Sequence, residues 1–137
     1  MNVKCLQLTQ VLEIYFQILQ ISYFSYLVKW GGIDVYFKSL IEQGMKTIIL
    51  FDPFLIVNET NYEPFNRGKK EGVFITWPNG VTNPDYEYTN SSIMVGFCWP
   101  KGRVAYPDFF KNSTKEWWVN EILEHRKKLI FNGLWVD

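Results

Sequence analysis

The chain has 137 residues, which suits one modest domain or part of a larger one, and with 47% hydrophobic and 20% charged residues it is not a generally disordered chain. Fourteen basic residues balance fourteen acidic ones, and nothing points to the clustered basic footprint that nucleic-acid binding requires. The aromatic content is high, with six Trp, eight Tyr and eleven Phe; such rings fill cores, and flat aromatic walls also suit the apolar faces of sugar rings.

Residues 1–32 read differently from the rest. The apolar stretch from Val11 to Val28 is interrupted by Glu13, Gln17 and Gln20, which argues against a membrane-spanning helix of about twenty apolar residues. It also lacks the compact run and small-residue cleavage site of a secretory signal. An amphipathic or buried helix ending at Lys29-Trp-Gly-Gly32 is expected. The segment carries no assigned function, and membrane association is not evident from it.

From Ile33 the pattern is regular. Val35, Phe37, Leu40 and Ile41 recur at helical spacing over 33–43, with Gly44 as C-cap. Residues 47–51 form a short apolar run of the kind a buried parallel strand shows, and Asp52-Pro53 halts it. Residues 54–111 lack periodicity and carry turn signals such as Trp77-Pro-Asn-Gly80 and Asn83-Pro84, predicting an inserted loop with a few short strands. At Asn112 regular structure resumes. Ser113 and Glu116 fit a capping box. Trp118, Ile122 and Leu129 mark one side of the following helix, and Glu121, Glu124 and Lys128 mark the other. Asn132-Gly133 breaks the chain, and a second apolar strand runs to Asp137. Helix, strand, loop, helix, strand predicts an α/β fold, a fragment of a (β/α)8 TIM barrel with parallel strands, whose C-terminal ends carry the chemistry.

Few other residues suggest chemistry. Cys5 and Cys98 do not make a disulfide framework, and no clustered ligands suggest a metal site. His125 lies among Glu124, Arg126, Lys127 and Lys128, which predicts a solvated helix face and disfavours a histidine-based triad. Sequons at Asn58, Asn90 and Asn112 are compatible with a secretory-pathway protein, or with chance in an Asn-rich chain.

Three stretches resemble glycoside hydrolase family 31, in its intestinal maltase-glucoamylase and sucrase-isomaltase type. Gly44-Met-Lys-Thr-Ile-Ile-Leu-Phe-Asp52-Pro53 is similar to the family's third barrel strand, and Asn58-Glu-Thr60 continues the match. Ala105-Tyr-Pro-Asp-Phe-Phe-Lys-Asn-Ser-Thr-Lys-Glu-Trp-Trp118 is similar to the stretch before the next helix. Phe131-Asn-Gly-Leu-Trp-Val-Asp137 is similar to the fourth strand. The blocks stand in the family's order over residues 33–137, which the resemblance makes a partial catalytic barrel, and residues 1–32 show no such likeness.

The resemblance implies a retaining α-glucosidase acting on terminal α-linked glucose, without cofactor or metal, in the secretory pathway, extracellular or membrane-tethered. It places Asp137 at the catalytic nucleophile, Trp135 and Trp99 at sugar-contacting tryptophans, and Leu55 at an apolar pocket residue. Asp52 joins the substrate-binding set at the matched strand end, in a structural rather than catalytic role. Retaining glycosidases need a second carboxyl group about 5–5.5 Å from the nucleophile. The family's acid/base aspartate and its sugar-binding arginine and histidine lie in the downstream half of the barrel. The family's preceding strand supplies a further aspartate; Asp34 is no substitute, since it reads as part of the helix over 33–43. The chain alone is therefore expected to be inactive and marginally stable. A non-catalytic carbohydrate-binding or interaction remnant is the alternative.

Overall fold

The structure, a computed structural model, describes residues 31–57, 61–98 and 102–137. The helix expected within 1–32, Asn58 and Trp99 lie outside the described residues. In chain order the elements are α1 (Ile33–Glu42), β1 (Ile48–Phe51), β2 (Leu55–Ile56), α2 (Glu63–Glu71), α3 (Tyr86–Thr89), β3 (Val95–Cys98), β4 (Gly102–Ala105), α4 (Asn112–Lys128) and β5 (Gly133–Val136). They form two sheets: β1 pairs with β5, and β2, β4 and β3 form a second sheet in that order.

The first sheet is parallel, with Ile48 opposite Gly133 and Phe51 opposite Val136. The expected helix-to-strand turn is present. Gly44 has φ 83°, its N–H donates to the Ile41 carbonyl at 2.9 Å, and Met45 reaches back to Leu40 at 3.0 Å. A side chain would be strained in that left-handed conformation, and glycine is not. At the start of the pair, the Asn132 side-chain oxygen accepts the Thr47 N–H at 3.0 Å and sets where β5 joins β1. Ile49 and Phe51 face α1 and α4, packing with Ile33, Phe37, Leu129 and Phe131.

The inserted stretch between β1 and α4 builds a core of its own. The antiparallel sheet covers Leu55, Val57 and Ala105; α2 adds Phe65, and Trp117 enters from α4. Phe74 lies 5.1 Å from Phe65 and 5.9 Å from Trp117, ring centre to ring centre. Helix α2 approaches this cluster so closely at Gly68 that an added Cβ would sit 2.9 Å from the Phe74 ring. The turn expected at 77–80 forms one residue further on, over 78–81, with Gly80 at φ 83° and Val81 donating to the Pro78 carbonyl.

Four local expectations are corrected. The insert contains the nine-residue helix α2, which lacks an apolar stripe but has Pro64 in its first turn and Gly72 at its C-cap. No side chain caps α4, so Ser113 and Glu116 make no capping box; instead the Thr114 hydroxyl donates to the Val73 carbonyl at 3.1 Å and ties the helix start to the insert. Glu121 is not on a solvated face. It is 6% exposed and takes two charge-assisted hydrogen bonds from Arg67, each 2.7 Å, because α4 buries a second stripe against the insert. His125 is not solvated either. Its ring packs 5.5 Å from Phe51 and 6.3 Å from Phe131. Its Nε2 is buried without a hydrogen-bond partner, and burial, aided by Lys128, holds its pKa down at about 4.

Candidate active site

The site is assembled by the β1–β5 register. In a parallel pair, residues opposite each other share a face, and faces alternate along each strand. Ile49 and Phe51, with Leu134 and Val136 opposite them, take the helix side. Leu50 and Trp135 are therefore paired on the other side, and the next pair beyond Phe51 and Val136 is Asp52 and Asp137. The pairing holds to its end, since the Asp137 N–H donates to the Phe51 carbonyl at 3.3 Å. The face opposite the helices of a (β/α) barrel is its interior, and the C-terminal strand ends open into its mouth.

The two carboxyl groups sit in different surroundings. Asp52 is 4% exposed, whereas Asp137 is open to solvent. Burial holds the Asp52 carboxyl above its ordinary pKa, and the charge of Asp137 raises it further. Trp135, two residues before Asp137 and on the same face, is 48% exposed. It offers an uncovered aromatic surface beside a carboxylate.

Sequence-predicted residues are thus partly brought together. Asp52, Trp135 and Asp137 share one face at one end of the pair. Leu55 is placed elsewhere: it is buried in the core of the insert, opposite Ala105 on β4. The apolar residue beside Trp135 is Leu50, which sequence reasoning passed over. Its alternation with Asp52 (i and i+2 on a strand) was the signal for it. Trp99 lies outside the described residues, between the sequence positions of β3 and β4. The flanks of that hairpin are fixed by Arg103, whose guanidinium lies 3.8 Å from the Tyr88 ring centre and 4.7 Å from that of Phe97, and pairs with Asp85 at 3.1 Å. Of the sequons, Asn90 and Asn112 are exposed.

Comparison with known proteins agrees with this geometry. Residues 9–137 match the glycosyl hydrolases family 31 TIM-barrel domain, so the match reaches into the segment before residue 33. The probable maltase-glucoamylase 2 of Homo sapiens is 31% identical over 141 residues, covering 83% of this chain and 5% of that protein. Intestinal sucrase-isomaltase of Homo sapiens is 38% identical over 115 residues, covering 69% of this chain and 6% of that protein. Lysosomal alpha-glucosidase of Bos taurus is 29% identical over 110 residues, covering 79% of this chain and 10% of that protein. The chain thus spans about a tenth or less of these curated relatives. With a parallel strand pair ending in two aspartates and a family match along nearly its whole length, the chain belongs to glycoside hydrolase family 31, as part of its TIM-barrel domain.

Proposed function

We propose that this chain supplies one wall of the active site of a retaining α-glucosidase that removes terminal α-linked glucose, and that it is inactive by itself. The observation that supports this most is the parallel pairing that sets Asp137 beside Trp135 at the mouth end of the barrel-interior face. In this reading the Asp137 carboxylate attacks the anomeric carbon while the glycosidic C–O bond breaks. A second carboxyl group donates a proton to the departing oxygen, and water then hydrolyses the glycosyl ester. Trp135 and Leu50 provide the apolar surface against which the ring is oriented, with Trp99 as a second aromatic contact. The relatives named as α-glucosidases support the substrate class.

Asp52 is not the second carboxyl group. Adjacent strands lie about 4.8 Å apart, which approaches the separation retaining enzymes use. However, the acid must reach the leaving oxygen across the sugar from the nucleophile, whereas Asp52 is buried in the same wall. The acid therefore has to come from elsewhere in a complete barrel. Relatives named as intestinal and lysosomal enzymes support passage through the secretory pathway. There the Asn112 sequon would be modified before folding, because its Thr114 is fully buried and engaged with Val73.

An aryl α-glucoside assay tests the reading. The chain alone gives no turnover; turnover that Asp137→Asn abolishes overturns the inactivity. Within a complete barrel, hydrolysis is lost in Asp137→Asn, and activity surviving that change rules out Asp137 as nucleophile. The half-exposed Trp135 on a one-sided site also favours a second reading, sugar binding without turnover. Maltose binding by the chain that is lost in Trp135→Ala supports it.

A further inference from the structure

We propose that Asn90 is a glycan acceptor in the folded chain: its side-chain amide receives an oligosaccharide from a lipid-linked pyrophosphate donor after the insert has formed, which Asn112 does not allow. This rests on the reading that the chain passes through the secretory pathway, where donor and transferase would meet it.

As sequence, Asn90-Ser91-Ser92 and Asn112-Ser113-Thr114 are equivalent sequons. The fold separates them. Transfer needs the amide and the hydroxyl two residues later to reach the enzyme together, so the backbone between them has to leave its neighbours. Helix α3 stops after one turn because Asn90 takes a left-handed conformation, φ 47° and ψ 45°, and its N–H returns to the Tyr86 carbonyl at 2.7 Å. Asn adopts that conformation more readily than most residues with a side chain. Asn90 and Ser92 are both exposed, and the hydrogen bonds that hold the segment use other atoms. The Ser91 hydroxyl donates to the Thr89 hydroxyl at 3.1 Å, and the Ser91 carbonyl accepts from the Asn83 side chain at 2.7 Å. The Ser92 carbonyl accepts the Trp77 N–H at 2.8 Å, next to an isolated bridge between Thr76 and Ile93. Presenting residues 90–92 therefore costs a few local bonds.

Asn112 is exposed too, but it begins the 17-residue helix α4. Its Thr114 is fully buried, with the hydroxyl bonded to the Val73 carbonyl at 3.1 Å, and Trp117 follows it into the insert core. Presenting Thr114 means unwinding the first turn of α4 and drawing it off that core, an opening far costlier than that of a surface turn. In the transfer itself, the Asn90 amide nitrogen bonds to the anomeric carbon of the donor's first sugar. The bond from that carbon to the pyrophosphate oxygen breaks, the lipid pyrophosphate leaves with the electron pair, and one amide proton is released. Nothing is oxidised or reduced.

The test uses the folded, unglycosylated full chain with a purified single-subunit eukaryotic oligosaccharyltransferase and a lipid-linked oligosaccharide, read by site-resolved mass spectrometry. Synthetic peptides spanning 84–96 and 106–118 give the intrinsic reactivity of each sequon. Asn90 of the folded chain gains the glycan, and the gain is lost in Asn90→Gln and in Ser92→Ala, which keeps the left-handed Asn in place. Relative to its own peptide, Asn112 is modified at least about tenfold less than Asn90 is. No addition at Asn90, or equal ratios at the two sites, overturns the proposal. Because donor and enzyme are supplied, failure here rejects the site without touching the secretory reading, which is tested separately by where the full chain is found in cells.

Discussion

The insert and the strand pair share helix α4 but are finished very differently. On the insert side, Trp117, Phe74, Val73 and Ala105 are closed off by the antiparallel sheet and α2, and the Arg67–Glu121 ion pair joins α2 to α4. On the strand-pair side, the helices cover Ile49 and Phe51, yet Ile48, Leu134, Trp135 and Val136 remain about half exposed. The region with the local contacts to stand by itself carries no proposed catalytic group. The region carrying Asp137 is the less covered one, which suits a surface that receives a ligand or further barrel strands.

Core truncation separates the two regions most strongly. Trp117→Ala removes the largest fully buried side chain among the described residues, one that touches both the insert core and, through its ring contact at 5.9 Å, Trp118. It is expected to cost about 3–5 kcal/mol in urea unfolding. Trp118→Ala, at a partly buried position, should cost less. The reverse order would mean that Trp118, which packs against both cores, anchors α4 more firmly than Trp117 does.

The helix-covered side of the strand pair carries an acid weakness at His125. His125 has a pKa of about 4 in the folded chain against 6.5 for an unperturbed imidazole, so the unfolded chain takes up the proton more readily. The full stability is present above pH 6.5 and is lost progressively as pH falls from 6.5 to 4, by at most about 3 kcal/mol. His125→Phe should remove that component of the pH dependence, measured as the difference between the two unfolding profiles. Equal profiles would show that the ring is not held neutral between Phe51 and Phe131.

The join between α2 and α4 should respond asymmetrically. Arg67→Met leaves the Glu121 carboxylate buried without its partner, at a cost of about 2–3 kcal/mol. Glu121→Gln leaves Arg67, which is partly exposed and can be hydrated, and should cost less. Equal costs in the two variants would mean that Glu121 is hydrated when Arg67 is removed and that the insert is more open than its packing indicates.

The strand pair was legible in the sequence because its signals are local. The apolar run of β1 lies between Gly44 and Pro53, that of β5 follows Asn132-Gly133, and the parallel arrangement follows from the helix between them. The insert was legible only as turns, because α2 (Glu-Pro-Phe-Asn-Arg-Gly-Lys-Lys-Glu) has little apolar periodicity and is stabilised by tertiary contacts at Phe65 and Gly68. Helix α4 held more information than a single-stripe reading extracts. Positions 118, 122, 125 and 129 are spaced 4, 3 and 4, which puts His125 on the buried stripe despite its charged neighbours. Positions 114, 117 and 121 form a second stripe, on which Glu121 follows Trp117 into the insert. Leu50 and Asp52 were readable from strand alternation. The ion pair that makes burial of Glu121 tolerable was not, because Arg67 lies 54 residues away.

The smallest expected effect gives the most direct comparison of coverage, because it concerns two residues that face each other. Ile49 and Leu134 are register partners on the helix side of the strand pair. Ile49 is 2% exposed and Leu134 is 40% exposed. Ile49→Val removes one methylene from a packed site and should cost about 1 kcal/mol. Leu134→Thr changes more atoms but introduces a β-branched residue, which suits a strand, on a surface already in contact with water, and should shift stability by no more than about 0.5 kcal/mol. If Leu134→Thr were the more costly of the two in urea unfolding, the helix side of β5 would be covered in solution, and the contrast between a closed insert and an open strand pair would fail at the residue nearest to Asp137 on that face but one. If the order holds, the same pair tests a complete barrel: there, the cost of Leu134→Thr should rise toward that of a buried substitution, while that of Ile49→Val stays where it is.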